Sequence, residues 1–186
     1  YKRQVRLAGA AYTTKSENSY FFVFLAQSST QNLGNIPETR LTGFELEATA
    51  EILPDLDINA AIGVTDSEIK AFPDASVIGN KAPQVSNYTF NLGAQYAGAI
   101  SDSVDGLLRI DYRRIGKTWW EPFNTTVRQP VDLVDVRAGV TLQNGVSITG
   151  FAQNLFDETY NAEFSPGGFV FRARPARYGV EVGYKF

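Results

Sequence analysis

Hydrophobic and polar residues alternate along most of this 186-residue chain. The clearest stretch is the last, residues 177–186. One face there carries Tyr178, Val180, Val182, Tyr184 and Phe186, and the other Gly179, Glu181, Gly183 and Lys185. A period of two marks an extended strand with one apolar and one polar face. The rhythm recurs at residues 44–52, where Glu45, Glu47 and Glu51 stand between Phe44, Leu46, Ala48, Ala50 and Ile52. It recurs again at 56–65, 90–96, 108–113, 134–142 and 146–149. Residues 3–12 alternate more weakly, and residues 20–27 are apolar on both faces. Nine strands and almost no helix are predicted.

The predicted connections alternate in length. Short ones fall at residues 14–19, 54–55, 101–105 and 143–145, and long ones at 28–39, 66–87, 117–130 and 157–176. Membrane barrels of the bacterial outer membrane have short turns on one side and long loops on the other. A soluble sandwich has no reason to keep that rhythm. The ten residues of the last strand also suit a bilayer crossed at a tilt of about 45°. Such barrels have even strand numbers, so nine strands predict a piece of a larger barrel, with open edges and more strands upstream.

Composition narrows the chemistry. There is no Cys, His or Met, which removes disulfides, thiol nucleophiles, the commonest general base and the commonest metal ligand. The net charge of −3 argues against nucleic-acid binding. No apolar run approaches the roughly 18 residues of a membrane helix. The chain starts at Tyr1 with no visible signal peptide, so a processed product or a fragment is expected. No phosphate loop, nucleophile elbow or metal cluster is present, and no pair of carboxylates stands out as an acid–base couple. An enzyme is not expected, and neither is a cofactor.

Four elements resemble one known family. Asn154-Leu155-Phe156-Asp157-Glu158-Thr159-Tyr160 resembles the Asn-Leu-Phe-Asp-x-x-Tyr element near the end of TonB-dependent outer-membrane receptors. Thr42-Gly43-Phe44-Glu45-Leu46-Glu47, following Asn32-Leu33-Gly34, resembles their Gly-(Val/Phe)-Glu-Leu-Glu strand. Gly79-Asn80-Lys81-Ala82-Pro83 before Tyr88-Thr89-Phe90-Asn91-Leu92-Gly93 resembles a loop leading into a descending strand, and Arg177-Tyr178-Gly179-Val180 running to Phe186 resembles the last strand. The elements keep the family's order and span essentially the whole chain. The resemblance implies an all-β, antiparallel up-and-down transmembrane barrel, with residues 1–186 supplying about nine strands of a 22-stranded whole. It also implies an absent N-terminal plug, energy coupling through TonB, and active import of a scarce nutrient, with a ferric siderophore first among ligands. The expected location is the bacterial outer membrane, with lipid, lipopolysaccharide and the barrel-assembly machinery as partners. A passive porin-like channel and a soluble carbohydrate-binding β-module are the alternatives.

Two groups of residues are candidates for function. On the long loops, Trp119, Trp120, Phe123, Tyr160, Phe164 and Phe169 can stack on a ligand, anchor the barrel at the interface or pack the loops together. Arg172, with Arg128 and Arg174, can attract an anionic ligand or simply face solvent. On the last strand, Tyr178, Val180, Val182, Tyr184 and Phe186 form a candidate assembly signal, read through a free strand edge. Asn154 and Asp157 are expected to shape a strand end through side-chain bonds to the backbone, and Asn144-Gly145 to form a tight hairpin turn.

Overall fold

The computed structural model describes residues 5–25, 30–165 and 167–185, the side chains at 22–25 and 30–31 excepted. In chain order the strands are β1 (Val5–Leu25), β2 (Thr30–Leu53), β3 (Leu56–Ala71), β4 (Tyr88–Ser101), β5 (Val104–Ile115), β6 (Thr118–Trp119), β7 (Val127–Arg128), β8 (Val131–Leu142), β9 (Val146–Gln153), β10 (Asn161–Phe164), β11 (Val170–Arg172) and β12 (Arg177–Tyr184). Eight of them form one antiparallel sheet in the order β1-β2-β3-β4-β5-β8-β9-β12. The two small pairs, β6–β7 and β10–β11, are hairpins carried inside long loops. The eight-stranded sheet is an up-and-down meander with β1 and β12 at its two edges, so it is open.

Hydrogen-bonded register carries the apolar face across the sheet. Leu46 opposes Ile62, which opposes Phe90, and Ala94 opposes Ile110, which opposes Val136. The face ends on β12, where Val180 opposes Gly150 and Val182 opposes Ile148. These side chains are bare. Leu7 is 76% exposed, Leu46 53% and Val182 74%. Nothing among the described residues packs on this face, so the sheet is a single layer and not half of a sandwich. At the long-loop end of the face, the Arg114 Nε–H donates to Tyr88 Oη (2.8 Å), its Nη1 to both Asp132 oxygens, and Tyr112 Oη to Asp132.

The turns at the other end are tight. Leu53 pairs with Leu56 around Asp55, whose φ is 67°, and Ser101 pairs with Val104. Gly145 follows Asn144 as expected. Its φ is 85°, and a Cβ there would lie 2.1 Å from the Lys185 carbonyl oxygen, so both conformation and space require glycine.

Two sequence expectations are corrected. Residues 14–19 are not a turn, and residues 30–39 are not a loop: β1 and β2 run through them as one long hairpin. The nine predicted strands therefore become eight in the sheet. Residues 14–19 are polar on both faces of this hairpin. There Lys15 bridges Glu17 (2.7 Å) and Glu38 (3.2 Å), and Thr13 bonds Thr42. At about 3.4 Å per residue, the 21 residues of β1 span roughly 70 Å along the strand, about twice what a membrane strand needs.

Buried side chains gather at the long-loop end of the sheet. Ile36, Ile69 and Val77 are at most 3% exposed, with Phe21 and Phe72 packed against them. The loops are tied down by polar staples. Asn124 accepts from the Lys81 N–H (2.8 Å) and donates to the Lys81 carbonyl (3.0 Å), while Asn80 donates to the Pro122 carbonyl. The Glu121 carboxylate accepts the main-chain N–H groups of Phe123, Thr125 and Thr126.

Asn154 closes the last loop. It is 8% exposed, with φ of 51°. Its side chain accepts the Glu158 N–H (2.8 Å) and donates to the carbonyls of Glu158 (3.0 Å) and Arg174 (3.3 Å). Asp157 accepts the Ala176 N–H across the same loop (2.8 Å). The structure thus gives Asn154 and Asp157 the backbone-tying role expected of them. Replacing Asn154 with Ala should cost about 2–4 kcal/mol and expose residues 154–176 to protease, because bonds are lost and alanine is strained at this φ. Asn154→Gly should lose less. Denaturant unfolding and limited proteolysis of the receptor that carries this chain check both.

Candidate ligand-facing wall

The polar face of the sheet is the second consequence of the alternation. On β5, Arg109, Asp111 and Arg113 share it. On β8 it holds Asp135 and Arg137, and on β12 Arg177 and Glu181. Opposite strands bring these into one wall. Arg109 stands opposite Arg137, and Asp111 opposite Asp135. The repulsion is relieved within the wall. Arg109 donates through Nε and Nη2 to Asp111 (2.7 and 2.5 Å), and Arg137 pairs with Glu181.

A recess of about 360 Å³ opens on this wall toward the long loops. It is lined in part by Arg113, Asp135, Asn154, Tyr160, Arg174 and Arg177. The Asp135 carboxylate accepts the Asn154 N–H (2.8 Å), which ties the recess to the loop staple. Nearer the short turns lies a second recess, lined in part by Arg109, Asp111, Asp135, Arg137, Arg177 and Glu181.

Tyr160 has loop groups behind it. The Arg128 guanidinium lies 5.9 Å from the Tyr160 ring and 5.8 Å from the Trp120 ring. It also donates to Thr118 Oγ1 (2.8 Å) and Ser86 Oγ (3.4 Å), so it joins three loops. Burial pulls its pKa down from the usual arginine value. Trp120 is 7% exposed, and Phe164 meets it edge-on at 6.3 Å.

The sequence candidates therefore divide into groups. Trp120 and Tyr160 flank Arg128, and Phe164 packs on Trp120. Of these only Tyr160 also lines the recess. Trp119 lies in β6 beside them, its carbonyl accepting the Gln84 N–H (2.7 Å). Phe123 is half exposed and packs edge-on against Phe72 at 6.0 Å, apart from that group. Phe169 packs against Phe171 with the rings tilted, centroids 5.1 Å apart, in the β10–β11 hairpin, which also carries the exposed Arg172. Sequence reading passed over Arg113 and Arg177 as recess residues. Their parity on β5 and β12 was the available signal, but the loop fold that sets Tyr160 and Arg174 beside them is not written in any local pattern.

On β12, Tyr178, Val180, Val182 and Tyr184 lie on the apolar face, each more than 60% exposed, and among the described residues the strand pairs only with β9. Phe186 lies outside the described residues.

Comparison with known proteins accounts for both faces. The solved structures that resemble the chain include the siderophore receptor PiuA from Acinetobacter baumannii (TM-score 0.78, 19% identity, covering 100% of this chain and 27% of that one). The ferric preacinetobactin receptor BauA from the same organism is also similar (TM-score 0.76, 17% identity, 96% and 27% covered). So is the copper transporter OprC (TM-score 0.72, 12% identity, 98% and 29% covered). At these identities the likeness is one of fold, and the chain spans about a quarter of the length of each. The family model described as TonB dependent receptor-like, beta-barrel matches residues 1–155. An open, two-faced antiparallel sheet matched over most of its length by that model is part of a transmembrane barrel, and the chain belongs to the TonB-dependent receptor β-barrel family.

Proposed function

We propose that residues 1–186 are the C-terminal portion of the barrel of an outer-membrane TonB-dependent receptor that actively imports a scarce nutrient, a ferric siderophore being the favoured ligand. The observation that carries this reading is the family match over an open sheet with one face apolar and bare and the other charged. The apolar face suits hydrocarbon. The charged face suits the barrel interior, where water or a plug domain spares it the desolvation of a dry core. Solved siderophore receptors among the similar structures support the ligand class.

In this reading the tight turns are periplasmic and the long loops extracellular. The row of Tyr88, Tyr112, Arg114 and Asp132 then sits at the outer boundary of the hydrocarbon, where aromatic and charged tips meet lipopolysaccharide headgroups. The free edge of β12 supports a role in assembly, with Tyr178, Val180, Val182, Tyr184 and Phe186 presented to the machinery that inserts barrels. TonB would be engaged by a region outside this chain. The aromatic loop residues Trp119, Trp120, Phe123, Tyr160, Phe164 and Phe169, with Arg172, frame the extracellular mouth as candidate ligand contacts, Tyr160 nearest the recess. The family consists of transporters, so no catalysis is assigned.

Uptake separates this reading from a passive channel. Cells relying on the receptor that contains this chain should take up radiolabelled iron as a siderophore complex only while TonB is present. Uptake that persists without TonB would mark a passive pore. The two faces should also respond differently to charge. Ile110→Lys, on the apolar face, should destabilise the barrel by about 2–4 kcal/mol. Thr149→Lys, on the polar face, should change stability by less than about 1 kcal/mol, both measured by urea unfolding in lipid vesicles.

A further inference from the structure

β9 lends side chains to both of its neighbours. On the polar side, its Ser147, Thr149 and Phe151 stand opposite Gly183, Glu181 and Gly179 of β12, and Thr149 also stands opposite Gly139 of β8. These glycines leave room for the β9 side chains. A Cβ built on Gly179 would stand 2.6 Å from Phe151 Cε1, one on Gly183 2.6 Å from Ser147 Oγ, and one on Gly139 2.5 Å from Thr149 Oγ1. Along β12 only Gly179 and Gly183 are half-buried, and every other residue of the strand is exposed. Phe151 lines the same recess as Arg137 and Glu181, so a ring swung off its glycine would lie among charges.

Glycine inside a strand costs backbone entropy and brings no packing of its own, so two of them four residues apart on one face need a reason. The register supplies it. A slip of one residue would exchange the faces of β12. A slip of two would set Phe151 against Arg177 or Glu181 in place of Gly179, and would part Glu181 from Arg137. A slip of four that brings Gly183 to Phe151 would pull Lys185 from the β8–β9 turn, where its N–H donates to the Gly145 carbonyl (2.9 Å). The opposite slip of four would bring Pro175, which has no N–H to pair, into the ladder.

We propose that Phe151 on Gly179, with Ser147 on Gly183, is a register lock between β9 and β12, and that Phe151 is a positioning residue for the edge at which the barrel is assembled. With the lock set, Tyr178, Val180, Val182 and Tyr184 stand at fixed heights on the edge strand. The strand then meets its next partner in one phase. This inference rests on the assembly role proposed for β12 and names what orients that strand.

The test uses a cysteine-free form of the full-length receptor that contains this chain, produced in a Gram-negative host. Single pairs of cysteines report the register under mild oxidation. Positions 152 and 178 are opposite each other, whereas 152 with 176 or 180 is two residues out of register and too far apart for a disulfide. The heat-modifiable band on gels reports the assembled fraction. With Phe151 present, only the 152–178 pair should crosslink. Phe151→Ala should let an out-of-register pair crosslink and should lower the assembled fraction about threefold, while Phe151→Tyr keeps both as they were. Gly179 has no left-handed φ, and valine is the better strand former, so propensity alone expects Gly179→Val to help. The lock expects it to lower assembly roughly tenfold, and expects Phe151→Ala in the same chain to restore most of the loss. Gly150→Val, where an added Cβ meets nothing closer than 3.9 Å, should assemble normally. The lock is overturned if Gly179→Val assembles like the wild type, if Phe151→Ala does not relieve its defect, or if Phe151→Ala alone crosslinks only at 152–178. Val180→Ser with Val182→Ser tests the reading beneath it. Normal assembly of that variant would sink the signal role of β12 and leave the lock standing.

Discussion

Hydrocarbon offers a peptide group no hydrogen bond, so a chain that crosses it must pair its main-chain N–H and C=O groups with other main chain. In this protein that constraint sets the order of everything else. The eight strands are joined neighbour to neighbour in antiparallel register, and the register shifts lie near the ends of the paired segments. Once pairing is fixed, the pleat sends alternate side chains to opposite sides, and a slip of one residue would exchange the faces. Leu46, Ile62 and Phe90 stand on one side because Glu45, Gly63 and Thr89 stand on the other. The open edges of β1 and β12 follow from the same rule: a spanning sheet must close, and the rest of the barrel has to supply what closes it.

The sheet has no core of the usual kind, and burial is found where the protein leaves the membrane. There the chain returns to ordinary globular rules. Ile36, Ile69 and Val77 bury apolar surface, Asn124 and Glu121 satisfy loop backbones, and Arg128 binds three loops through hydrogen bonds and ring faces. The apparatus holds the mouth in one arrangement. It places Tyr160 and Arg174 above the polar wall, where strand parity has already put Arg113 and Arg177. Strands thus supply the charge and loops supply the shape.

Much of this was legible in the residues. Alternation located every sheet strand, and the motif around Asn154-Leu155-Phe156-Asp157 pointed to a loop closure that the structure shows as side-chain bonds to main chain. The first hairpin was misread because residues 14–19 are polar on both faces. That is the sign of a turn in a soluble protein and of emergence into water in a barrel strand. The phase of the stretch at 20–27 stayed open because both of its faces are apolar, so alternation does not say which face is which. The grouping of Trp120, Phe164 and Arg128 was hidden because it depends on contacts between segments about 40 residues apart, which period and composition do not encode.

The central claim is that residue parity decides which side meets lipid. Spin labels can be placed singly along residues 44–51 of a cysteine-free form of the full receptor in bilayers; this chain itself has no cysteine to replace. Collision with oxygen, which concentrates in hydrocarbon, should peak at positions 44, 46, 48 and 50. Collision with a water-borne nickel chelate should stay low at those four and be higher at the odd positions. Equal accessibility at odd and even positions, or the opposite parity, would contradict the account.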